Sequence, residues 1–166
     1  MVLEVIEQNG PAVQLYESLG FRRVRRLVGF ARPASAVEGS GVGDSGWEEV
    51  DVREVAAQVG ARGLPDLPWQ LSGETLAQVG PPYRGFRRGA AWLAVSDTAA
   101  ATVGIRALVG GKSEAEGEAL LRAVQASFPG KEWRVGALWP EELAGVFVSA
   151  GFSRTPLSQW QMVRPL

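Results

Sequence analysis

One strand–helix–strand pattern occurs twice in this sequence, once at each end. The first copy runs through residues 3–9, 10–20 and 21–30, the second through 133–138, 139–151 and 152–162. Laid over each other, Gly20-Phe21 falls on Gly151-Phe152 and Tyr16 on Phe147, while Arg32-Pro33 lies one residue out of step with Arg164-Pro165. A self-match about 130 residues apart is too long for a solenoid repeat. It predicts two related units in tandem, the first represented only by its tail. Residues 1–32 would close a first domain, 33–46 would be a linker, and 47–166 would form a second domain.

The physics of each copy is readable. Leu3, Val5 and Ile6 form a short apolar run suited to a buried strand. Asn9 can cap a helix with Pro11 in its first turn. Ala12, Leu15, Tyr16 and Leu19 recur at helical spacing, and Gly20 stands where helices end. In the second copy Pro140 is expected to open the helix, Leu143, Val146, Phe147 and Ala150 to form its stripe, and Gly151 to stop it.

The run Asn9-x-x-Ala12-x-x-Leu15-Tyr16-Glu17-x-x-Gly20-Phe21 resembles the C-terminal motif of the GNAT superfamily of N-acetyltransferases. The resemblance implies an α/β (α+β) fold, with a mixed, mostly antiparallel central sheet flanked by helices. It implies acetyl-CoA as cofactor and acetyl transfer to a primary amine on a small molecule or peptide. By the same resemblance Asn9 would touch coenzyme A and Tyr16 would protonate the departing thiolate. Read from the residues alone, Asn9 is equally an N-cap and Tyr16 equally a core residue with its hydroxyl in water.

Composition narrows the chemistry. The chain has no cysteine and no histidine. Thiol nucleophiles, Ser-His-Asp triads, zinc fingers and histidine-containing metal sites are thereby excluded. Acyl transfer from a thioester to an amine tolerates that shortage, because the donor is already activated and the enzyme mainly positions two reactants. A net charge of −1 gives no whole-chain case for nucleic acid. No apolar run approaches the roughly 20 residues of a membrane span. The N-terminus has no basic region of a signal peptide, which leaves the cytoplasm as the expected location.

Taken in order, Arg22, Arg23, Arg25 and Arg26 put charge on both faces of a strand. That predicts an edge or solvated strand, or alternatively a contact with an acidic partner or phosphate. Residues 33–46 are rich in Gly, Ser and Pro and read as linker. Strands are expected at 47–51, 83–88, 90–96 and 100–109. Asp51 should cap a helix burying Val52, Val55, Ala56 and Val59, and Ser72 a short helix reaching Val79.

The junction 103–122 is the most chemical stretch: an apolar strand, a Gly-bearing loop and an amphipathic helix. Ser113 and Glu116 have capping-box spacing. Free amides at such a helix start favour anions. At this place the resembled family carries Gln/Arg-x-x-Gly-x-Gly/Ala, which holds the coenzyme A pyrophosphate. Here it reads Lys112-Ser113-Glu114-Ala115-Glu116-Gly117, keeping only the last Gly outright. The resemblance also assigns Leu108 and Val109, at the strand end, and Glu118 to the cofactor. Glu114 and Glu116 suit an unliganded helix start and repel a pyrophosphate. A P-loop would need a glycine where Arg106 stands, so Gly110-Gly-Lys-Ser113 is too short a loop for a nucleotide triphosphate.

The copies show complementary defects. The first has Asn9 and Tyr16 but no preceding strand–loop–helix; the second has that element, with Pro140 and Phe147 in place of Asn and Tyr. Three arrangements follow: a tandem acetyltransferase lacking most of its first domain, a dimer in which residues 2–30 are swapped to supply Asn9 and Tyr16 in trans, and a non-enzymatic binding module.

Overall fold

A computed structural model describes residues 1–34, 46–64 and 66–165. Most of the expected linker lies outside the described residues. The described chain contains one eight-stranded sheet in the order β1-β8-β2-β7-β6-β5-β4-β3. Its strands are β1 (Val2–Ile6), β2 (Arg22–Arg32), β3 (Glu48–Val50), β4 (Arg84–Arg88), β5 (Ala91–Val95), β6 (Thr102–Val109), β7 (Glu132–Pro140) and β8 (Ser153–Val163). The helices are α1 (Gly10–Ser18), α2 (Val52–Arg62), α3 (Gly73–Leu76), α4 (Glu114–Ser127) and α5 (Gly145–Ser149). Every neighbouring pair is antiparallel except β6 and β7. This is the mixed, mostly antiparallel sheet expected from the sequence.

The two copies of the repeat interlock. β8, from the second, lies between β1 and β2 of the first; β2, from the first, lies between β8 and β7 of the second. The order β1-β8-β2-β7 therefore reads the same from either end once the copies are exchanged. The register obeys that exchange. Val2 faces Val163 as Trp133 faces Arg32, and the pairs Leu27–Gln159 and Val28–Ser158 at the centre map onto each other. The turns agree as well. Phe21 N–H donates to Tyr16 O at 3.0 Å and Phe152 N–H to Phe147 O at 2.9 Å, with Gly20 and Gly151 at φ of 86° and 84°. Only glycine adopts that left-handed backbone without strain, which is why the Gly-Phe pair marks both copies.

Because of this exchange β2 is a central strand, not the edge strand its arginines suggest. The arginines occupy its first half, and Leu27, Val28, Gly29 and Phe30 in its second half are buried. Three of the arginines meet acids: Arg23 meets Glu17 at 2.8 Å, Arg26 meets Glu7 at 2.7 Å and Glu141 at 3.5 Å, and Arg25 meets Glu142 at 3.6 Å. Glu7 also accepts from the Ser158 hydroxyl, the first cause holding its carboxyl below the usual 4.5, with Arg26 reinforcing it. A lowered folded-state pKa gives stability that is present above the ordinary value and lost as pH falls through the lowered one. The melting temperature is therefore expected to fall on acidification below about pH 5, and Glu7→Gln to flatten that slope in a thermal titration.

Gly29 sits at an irregularity where β2 shifts register against both neighbours. A Cβ there would stand 2.7 Å from Thr155 Oγ1, 3.0 Å from the Val135 carbonyl oxygen and 3.1 Å from the Ala137 nitrogen. Two of those three are backbone and cannot step aside. Gly29→Ala is expected to cost about 1–3 kcal/mol in denaturant unfolding. Across this bulge β7 carries the extra residues 136–138, and a bulge bends its strand.

α2 forms as read, with Asp51 capping, Glu54 closing the capping box and Val52, Val55, Ala56 and Val59 buried. Two helices are shorter than expected. α3 stops at Leu76. Pro140 ends β7 rather than opening a helix; a 3-10 turn over Glu141–Leu143 follows, and α5 begins only at Gly145. The main core lies between the sheet and α4–α5, a second under α2 and α3, and a small third cluster joins α1 to β1 and β8.

Candidate active site

The parallel pair sets the site. β6 and β7 are in register from Thr102–Glu132 to Ile105–Val135 and no further. Beyond that point β6 continues beside β5, with Leu108 facing Leu93 and Val109 facing Trp92. β7 bends instead towards β2, with Trp139 facing Val28. The two strands splay, and the cleft between them opens onto the 110–113 loop. The cavity there measures about 370 Å³. Leu108, Val109, Trp139, Leu143 and Val146 give it apolar walls; Arg62, Lys112, Ser113 and Glu114 give it a polar mouth. A narrow extension of about 40 Å³ reaches Arg106 and Pro140. Arg106 donates to the Tyr83 hydroxyl at 3.2 Å.

The loop end presents backbone amides, and one of the chain's own acids takes one of them. Glu116 Oε2 accepts the Lys112 N–H at 3.2 Å. A Cβ at Gly111 would overlap that carboxylate. The expected capping box is therefore not formed: Ser113 stands at the N-cap but its side chain caps no amide, and Glu116 bonds one residue earlier than the motif requires. Glu114 lies over the start of α5, beside Gly145. Gly117 lets the loop approach the helix, since a Cβ there would press on Gly110 Cα at 3.4 Å.

The sequence-named residues do not all come together. Leu108, Val109, Lys112, Ser113, Glu114 and Gly117 line the cleft. Ala115 and Glu116, with Lys112, border a shallow groove outside the loop. Glu118 faces away and pairs with Arg122 at 2.8 Å. Asn9 and Tyr16 do not line this cleft. Asn9 caps α1, accepting from Ala12 N–H at 3.2 Å. Tyr16 packs edge-on against Phe21 in the small third cluster, with ring centres 5.7 Å apart. Its counterpart Phe147 is fully buried under the cleft, against Phe30, Trp139 and Phe152. Arg62 was not foreseen; it stands in the last turn of α2, beside Gly63, and only the placement of that helix end brings it to the cleft.

No family model and no curated protein matches this sequence. Solved structures do. A GCN5-related N-acetyltransferase from Kribbella flavida superposes with a TM-score of 0.58 at 16% identity, over 99% of this chain and 68% of its own. One from Sphaerobacter thermophilus gives 0.59 at 13% identity, over 98% of this chain and 59% of its own. The chain spans 52% of an acetyltransferase from Pyrococcus horikoshii with a TM-score of 0.54. The chain has a GNAT-like fold. Among the described residues there is no cluster of acids that could hold a metal, and no helix is long and apolar enough to cross a membrane.

Proposed function

We propose that the cleft between β6 and β7 binds acetyl-coenzyme A and that the chain transfers its acetyl group to a primary amine. The splay of a parallel pair beyond Ile105–Val135, opening a cavity onto a helix-start loop, carries this reading. The thioester supplies an already activated acyl donor. The chain's own residues then have modest tasks. The apolar walls at Leu108, Val109, Leu143 and Val146 take the pantetheine arm and exclude water. Lys112 and the loop amides take the phosphates once Glu116 leaves them. The amine acceptor enters from the Arg106–Tyr83 side.

The residues fit the arm better than the phosphates, and Phe147 offers no proton where the resembled motif has a hydroxyl. Those two observations favour a second reading, in which the cleft binds the thioester without turning it over. Melting the full chain against acetyl-CoA tests the first step. Ligand at about a hundred times its dissociation constant adds roughly 2.7 kcal/mol, a rise of about 5–10 °C for a chain of this size. No rise at millimolar ligand would overturn both readings. A rise with thiol release from a panel of amines selects the enzyme, and a rise without release selects the binding module.

A further inference from the structure

The interlocked repeat allows each residue of α1 and β1 to be compared with its counterpart. Among the apolar residues that the first copy leaves open are Val2 at 49%, Leu15 at 56% and Leu19 at 49%. Their counterparts are closed: Trp133 at 1%, Val146 at 9% and Ala150 at 2%. The difference has one source. β7 has β6 along its outer edge and α4 over α5, whereas β1 is the last strand of the sheet. The exposed face of the first copy is thus the same surface that β6 and α4 cover in the second.

From this we infer that the β1 edge and the outer face of α1 form a docking surface for a strand–loop–helix element of a partner chain, built like residues 102–127. Its strand would run parallel to β1 beside residues 1–4, the counterparts of the Glu132–Val135 stretch paired with β6. Its helix would cover Leu15 and Leu19. In the second copy Arg122 of the covering helix donates to the Ser149 carbonyl at the end of α5; the counterpart Ser18 carbonyl awaits an equivalent cation. A second copy of this chain does not fit, because its own β6 is already paired on both edges. Docking would also complete a cleft next to Tyr16, giving the first copy what the second has and a phenol where the second has Phe147.

The probe is the chain's own covering element. A copy of residues 102–131 is fused directly ahead of Met1, as Lys131 precedes Glu132. If the surface is a dock, amides on the outer edge of β1 gain about tenfold or more protection from exchange and the melting temperature rises by about 5 °C or more. Leu15→Ser with Leu19→Ser should remove that gain in the fusion. In the unfused chain the same pair should shift melting far less than it does in the fusion, since about half of each residue is already in water. A fused segment that exchanges like free coil, with no change in melting, overturns the proposal. So does light scattering that shows the unfused chain pairing with itself through β1.

Discussion

Replacing Phe147 by alanine is expected to cost about 3–5 kcal/mol, measured as a shift of the denaturant midpoint at constant slope. Phe147 is fully buried and its ring meets Phe30, Trp139 and Phe152, at centroid distances of 5.4, 4.9 and 5.5 Å. It joins α5 to β2, β7 and the residue just before β8. The surrounding rings belong to β2, β7 and the turn before β8 and cannot all close on the hole, so the cost sits with the large buried-aromatic cases. Tyr16, its counterpart, has one ring neighbour and an open side. Tyr16→Ala is expected to cost only about 1 kcal/mol. Equal costs for the two would mean that the first copy is covered as fully as the second.

The second large effect has the opposite sign and concerns ligand. Glu116 engages the Lys112 amide, which in the proposed function would receive a phosphate of coenzyme A. An anion at a helix start contributes roughly 0.3–1 kcal/mol to the free protein. Removing it therefore weakens the unliganded chain slightly. The same change relieves both occupancy of the amide and repulsion of a pyrophosphate. Glu116→Ala is expected to tighten coenzyme A binding about tenfold, or about 1.4 kcal/mol, by calorimetry at low salt. The gain should shrink as salt rises. Weaker binding in the variant would show that the carboxylate supports the site rather than competing for it.

Much of the fold was legible because local signals agreed with it. Gly20-Phe21 and Gly151-Phe152 marked two turns of the same geometry. Asp51 and the spacing of Val52, Val55, Ala56 and Val59 gave α2. What failed was everything decided by neighbours distant in sequence. Four arginines argued for an edge, yet the apolar run from Leu27 to Phe30 is buried on both sides, and that run was the better guide to a central strand. Pro140 fits a helix start by rule, but β7 needed to extend through it to reach Leu27. Ser113 and Glu116 have the spacing of a mutual cap, but Lys112 N–H lay within reach and took the carboxylate. The cleft residues on β6 and α4 could be named from one contiguous motif. Arg62 and Trp139 could not, since only the bend of β7 and the end of α2 bring them there.

The interleaving of β2 and β8 also governs how the chain can come into being. Met1 and Arg164 share hydrogen bonds, and among the described residues β1 finds its in-sheet partner only in β8, far away in sequence. On a ribosome β1 and β2 emerge well before β8, and must wait for it before their strands can pair. During that interval the edges of β1 and β2 that β8 later covers are bare. Nascent chains of this protein should therefore depend on holdase chaperones more than a fold of the same size whose neighbours in space are neighbours in sequence.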